Sequence, residues 1–159
     1  MLTILKNRTF LLFFLGNTIS LIGFGFNLVG VSWLVLEVTG SELALGKLMA
    51  MATVPGVILA LFAGIIIDKV NRKWLLVVLD LFRMLVVGTF VILLVQDRFS
   101  MTALFITVLL MGTGSSLFWP TAQAFVQELV SAKDYFQANA LLSASYQAGS
   151  ILGLSLIHI

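Results

Sequence analysis

Cysteine is absent from this sequence, and histidine occurs once, at position 158, next to the last residue. The first absence excludes a disulfide framework and a thiolate metal site. The second removes the usual material of a histidine-based catalytic or metal centre, and no motif calls for a cofactor. Charge is scarce as well. Charged residues make up 10% of the chain against 60% hydrophobic ones, whereas a soluble domain carries about 25% charged residues because its surface must face water. Lipid is the solvent that removes this difficulty, and a mean hydropathy of +1.14 agrees with it. The net charge of +2 is small and spread along the chain, so a pI of 9.2 offers no argument for nucleic acid as a partner.

Within a bilayer the backbone must satisfy its own hydrogen bonds, which leaves helices or closed barrels. Barrel strands alternate apolar and polar residues; here the apolar runs are long and unbroken. The expected fold is therefore all-α, a polytopic transmembrane helix bundle. A crossing takes about 20 apolar residues. Spans are expected at about 10–36, 48–67, 74–95 and 99–127, with a fifth from 135 still running at residue 159. Lys6 and Arg8 precede the first run, as in a signal peptide, but the uncharged stretch Thr9–Leu36 is 28 residues long. A signal core has only about 7–15 residues before a small-residue cleavage site, so the segment reads as a retained helix. The links Glu37–Gly46, Asp68–Lys73 and Gln96–Ser100 are short, so neighbouring helices should alternate in direction. No Pro- or Ser-rich linker divides the chain, which reads as one incomplete domain over 1–159.

Basic residues set the orientation. With the N-terminus inside, the inner segments hold Lys6, Arg8, Lys69, Arg72, Lys73 and Lys133, and the outer links hold only Lys47 and Arg98. Six against two follows the positive-inside rule with a cytoplasmic N-terminus. Gly16, Gly23 and Gly30 recur every seven residues and form one stripe on the first span, where small residues let helix backbones approach closely. Pro55-Gly56 and Pro120 weaken the backbone ladder inside the second and fourth spans and predict kinks.

Two polar strips stand out. Asn17, Ser20 and Asn27 fall within about 80° of one another at helical spacing. Asn139, Ser143, Tyr146 and Ser150 form a similar strip on the fifth span. Polar groups facing lipid are costly, so each strip should face a substrate cavity or a neighbouring helix with which it hydrogen-bonds. Asp80 and Arg83, three apart, share one helix face within pairing distance. Asp80 lies roughly 9 Å into the third span. The pair reads as an internal ion pair with a structural or gating role, and direct substrate or proton binding is the competing reading.

The segment from Gly64 to Lys73 carries the most information. A glycine near the end of the second span gives room for another backbone. A carboxylate, Asp68, follows four residues later at the membrane edge, and a tight turn with Lys69, Arg72 and Lys73 completes it. An ordinary positive-inside loop explains the cations but not the carboxylate one turn after a glycine. The segment resembles the G-x-x-x-D-x-x-G-R-K motif that joins the second and third helices of the major facilitator superfamily. Gly64, Asp68, Arg72 and Lys73 match it. Asn71 stands in place of glycine, and asparagine tolerates a left-handed backbone better than most residues. Trp33, Thr39-Gly40-Ser41, Pro55, Asp80 with Arg83, Pro120 followed by Ala122 and Ala124, and Asn139-Ala140-Leu141 further resemble the macrolide-efflux and enterobactin-exporter branch.

That resemblance, running from about Phe10 to Gly153, implies two six-helix halves around a central cavity, working by alternating access. It implies that Asp68 helps hold the outward-facing state closed on its inner side. It also implies a multi-pass protein of the inner or plasma membrane whose partners are the bilayer, an amphipathic small-molecule substrate such as a drug or siderophore, and protons in antiport. Related exporters carry a glycine-proline motif on the fifth helix; here Gly149 and Gly153 are followed by Leu154. From Leu154 to Ile159 the family pattern lapses, so the chain is expected to be the N-terminal part of a transporter, with a foreign tail. The alternative is a complete small membrane protein of four or five helices with a structural or partner-subunit role. An enzyme is not expected, because the residues offer no positioned acid, base or nucleophile.

Overall fold

The computed structural model describes residues 4–155. Most of the tail singled out above, including His158, lies outside the described residues, as do the side chains of Gly153 and Leu154. After a short turn at Ile4–Lys6 come five helices: α1 (Arg8–Thr39), α2 (Glu42–Lys69), α3 (Arg72–Val95), α4 (Met101–Leu129) and α5 (Tyr135–Ser155). No strand occurs among the described residues. The bundle is all-helical, as the apolar runs require.

Four of these helices, α1 to α4, are long and apolar enough to cross a bilayer. α5 is not among them, because Gln137, Asn139, Ser143, Gln147 and Ser150 dilute its 21 residues. The pattern of burial fits lipid as the solvent. Only 17% of the most apolar window of α2 is buried, and Val54, Val57, Ile58, Leu61, Phe62 and Ile65 form an exposed stripe along it. In water such a stripe would be an adhesive patch; in hydrocarbon it costs nothing.

The helices run past the apolar segments that predict them. The first link shrinks from Glu37–Gly46 to Gly40 and Ser41, and the second from Asp68–Lys73 to Val70 and Asn71. Apolar runs mark the hydrocarbon crossing, whereas caps mark helix ends. Gly40 ends α1 with φ +58, donating from its amide to the Leu36 carbonyl at 2.8 Å. Ser41 opens α2 by accepting from the Ala44 amide at 3.3 Å. Asp97 ends α3 in the left-handed region at φ 54, and the Arg98 amide reaches back to Leu93 O at 2.9 Å. α2 and α4 continue as helix through Pro55 and Pro120.

The chain forms two compact units. The first draws on Met1–Trp33 and Gln123–Ile159, the second on Leu34–Ala122. In the first, α1 packs on α5 through small groups. A methyl at Gly25 would overlap the Gly149 carbonyl, and one at Gly149 would lie 2.6 Å from Leu21 O. One turn earlier the Thr18 and Ser145 hydroxyls meet at 3.0 Å. Partner numbers rise together along both helices, so α1 and α5 are parallel where they cross. Phe13 of α1 also sets its ring edge-on to Phe125 of α4, 5.2 Å apart. In the second unit α2 crosses α4. A methyl at Gly112 would overlap the Ala52 carbonyl, and one at Gly56 would lie 3.5 Å from Ser116. These helices too are parallel at their contact, as alternating up-and-down crossings require.

The seven-residue glycine stripe does not do what its spacing suggests. Nothing lies within 4 Å of a methyl placed on Gly16, Gly23 or Gly30, nor on Gly64. The close approaches fall on Gly25, Gly112 and Gly149, because the contact face of a helix is chosen by where its neighbour lies and not by its own periodicity.

Candidate functional site

The α2–α3 turn is built by two adjoining helix ends. α2 runs on to Lys69, Val70 is extended, and Asn71 caps α3 by accepting from the Trp74 amide at 3.2 Å. Asn71 has φ −69 and ψ 112, so it is not left-handed. It suits this position as an N-cap, and no positive-φ residue is needed between helices that end and start this close together. Gly64 is an exposed residue in the body of α2, five positions before its last residue, and no other backbone approaches it. Asp68 and Arg72 pair across the turn at 3.3 Å. The Asp68 side chain is 74% exposed and that of Arg72 24%. An i,i+4 pair this open contributes at most a few tenths of a kcal/mol, about 0.3–0.5. Its carboxylate keeps room for another donor. Lys69 and Lys73 flank it, both exposed.

Asp80 and Arg83 do meet, by a hydrogen-bonded ion pair on α3. The Arg83 side chain is 8% exposed and that of Asp80 43%. The guanidinium also lies over the Phe118 ring of α4, 4.1 Å from its centre. A methyl on Gly114, one helical turn before Phe118, would lie 3.0 Å from Arg83 Cγ and 3.2 Å from Phe82 Cδ1. Gly114 thus gives the arginine stem its passage and Phe118 gives the cation a π face, an attraction worth about 2 kcal/mol when desolvated. Neither residue is visible from α3's own sequence. The available signal is the pair of positions four apart, small then aromatic, on a helix that also holds Pro120.

The polar strips divide. On α1, Asn17 is 3% exposed, and neither its amide nitrogen nor its oxygen has a hydrogen-bond partner among the described residues. Ser20 and Asn27 are half-buried. On α5, Asn139 keeps a buried Oδ1 without a partner, Ser143 and Tyr146 are exposed, and Ser150 donates back to the Tyr146 carbonyl at 3.1 Å. Thr18 and Ser145, which the strips do not include, join α1 to α5 through their hydroxyls. Buried polar groups without partners cost about 1–3 kcal/mol each, so they mark places where a group from elsewhere is wanted. Among the described residues no group of three His, Cys, Asp or Glu side chains gathers that could hold a metal.

Residues 1–155 match the family described as transmembrane secretion effector. No curated protein and no solved structure matches the chain.

Proposed function

Because the chain belongs to the transmembrane secretion effector family, and is thereby a major-facilitator-type membrane transporter, we propose that it works in export. Its cargo is an amphipathic small molecule such as a drug or a siderophore, and the inward flow of protons drives it by alternating access. The match over residues 1–155 carries this reading: a secretion family moves its cargo outward. The N-terminus is cytoplasmic and the protein lies in the cell membrane.

Asp68 is the latch in this mechanism. Its hold on Arg72 is loose and its carboxylate is three-quarters exposed, which suits a group that changes partners as the inner side opens and closes. Asn71, Arg72 and Lys73 shape the turn that presents it, and Gly64 lies one helical turn before it on α2. The Asp80–Arg83 pair, gripped by Phe118, stays closed and makes α3 and α4 move as one piece. Asn17, Ser20 and Asn27 of α1, with Asn139, Ser143, Tyr146 and Ser150 of α5, line the route. The buried amide of Asn17 and Oδ1 of Asn139, without partners among the described residues, support that assignment, since a polar cargo or water reaching them as the helices part would satisfy them.

Cells deleted for the gene and complemented with it are the test. Efflux of lipophilic dyes and of a catecholate siderophore should rise with expression and stop when a protonophore collapses the gradient. Expression that leaves all of these unchanged would remove the export reading, and efflux that persists without the gradient would remove proton coupling.

A further inference from the structure

We infer that the crevice between the start of α1 and the α4–α5 turn holds the headgroup of a zwitterionic phospholipid with a primary amine. The cavity has a volume of about 340 Å³, and its lining includes Ile4, Asn7, Leu129, Ser131, Lys133 and Asp134. All of these belong to the first unit.

Location is the first argument. Asn7 directly precedes α1, and Leu129 is the last residue of α4. Both helices cross the membrane, so the crevice sits where a crossing begins and another ends, at headgroup level. Asn7 fixes its floor. The side-chain oxygen accepts from the amides of Thr9 and Phe10 at 3.0 and 3.3 Å, and the side-chain nitrogen donates to the Leu129 carbonyl at 3.1 Å. The two helix ends are thereby tied together, and the crevice persists as a formed feature.

Chemistry is the second. Ile4 and Leu129 supply apolar wall for glycerol and the first acyl carbons. Lys133 offers an ammonium and Asp134 a carboxylate, side by side. The Ser131 hydroxyl donates to Asp134 Oδ2 at 2.6 Å, which fixes the carboxylate and leaves Oδ1 to accept from an incoming ammonium. A lipid phosphate on Lys133 and its amine on Asp134 reproduce this charge order. An anionic headgroup would meet the carboxylate unfavourably, and a choline group has no N–H to donate. Lys6 and Arg8 flank the crevice in sequence, but the charged side chains of its lining, among the described residues, are Lys133 and Asp134 alone. On the proposed orientation the leaflet is the cytoplasmic one; the inference itself needs only that the helices cross a membrane.

The test is native mass spectrometry of the protein extracted from vesicles of equal phosphatidylethanolamine and phosphatidylcholine. Retention of the ethanolamine lipid should exceed that of the choline lipid by about five-fold, the factor for one net hydrogen bond from the amine to the carboxylate. Asp134→Asn should bring the ratio towards one, Lys133→Gln should lower retention of both lipids because it removes the partner of their shared phosphate, and Lys133→Arg should restore that retention. Lys47→Gln, at the other membrane edge, is the control and should leave it unchanged. Equal retention by the unaltered protein would overturn the inference, as would a preference that survives Asp134→Asn or a retention that Lys133→Gln leaves unchanged. In vesicles containing phosphatidylglycerol, tighter binding of that lipid, increased further by Asp134→Asn, would overturn it in favour of a plain anion site.

Discussion

Replacing Gly112 by alanine is the most discriminating change in the membrane-embedded part of this protein. A methyl there would overlap the Ala52 carbonyl and lie 2.9 Å from its carbon and 3.2 Å from its Cα. These are backbone atoms of α2, which cannot rotate aside, so the helices must separate by a sizeable fraction of an ångström. Separation also loosens the neighbouring Gly56–Ser116 contact, at present 3.5 Å for a methyl on Gly56. Overpacking of this kind costs about 1–3 kcal/mol, offset by up to about 1 kcal/mol because alanine favours helix over glycine. A net loss of about 1–2 kcal/mol is expected for Gly112→Ala, and the same for Gly149→Ala at the α1–α5 crossing. Gly23→Ala meets nothing within 4 Å and should be neutral or gain up to about 1 kcal/mol. Denaturant titration of the purified protein in mild micelles, followed by tryptophan fluorescence, reads all three. Gly112→Ala as stable as the parent, or Gly23→Ala as the worst of the set, would refute the crossing geometry.

Other changes test individual contacts. Asn71→Ala should cost about 1 kcal/mol and Asn71→Asp almost nothing in the same titration, because position 71 is a helix cap; a stabilising Asn71→Gly would show that the turn wants a left-handed residue after all. Asp97→Gly should stabilise by up to about 1 kcal/mol, since a left-handed backbone suits glycine better. Asp80→Asn leaves the buried Arg83 cation short of its carboxylate. It should lower stability by about 1–3 kcal/mol, below the usual 3–5 for a fully buried pair because Asp80 itself is 43% exposed. Asp80→Leu with Arg83→Met should recover most of that loss, and a double variant no better than Asp80→Asn would show that the loss does not come from the unbalanced cation.

Much of the fold was legible because lipid imposes one rule on the whole chain. An apolar run long enough to cross must be helical, so the four crossings could be read directly. Their ends could not, because Gly40, Ser41 and Asn71 terminate helices by local capping that has no connection with hydropathy. The helix contacts were less legible still. Gly16, Gly23 and Gly30 form a tidy stripe, yet Gly25 is the residue that Gly149 demands, and that preference exists only once α5 is known to lie against α1. The site divides in the same way. Asp80 and Arg83 are close in sequence and pair as their spacing implies. Phe118 and Gly114, which hold the arginine from α4, are about thirty residues away, and no local pattern connects them to it. Asn17 was singled out as polar in an apolar helix, but only the structure reveals that both ends of its amide are buried and lack a partner among the described residues.

The central claim is that this chain serves an exporter whose inner side is latched by Asp68. Dye and siderophore efflux should be measured in cells expressing the native gene, its Asp68→Asn form and its Asp68→Glu form at matched membrane levels. The account predicts that Asp68→Asn cuts efflux at least ten-fold, a loss of about 1.4 kcal/mol or more in the coupled cycle, while Asp68→Glu retains a measurable part. Full efflux by Asp68→Asn at matched expression would contradict it.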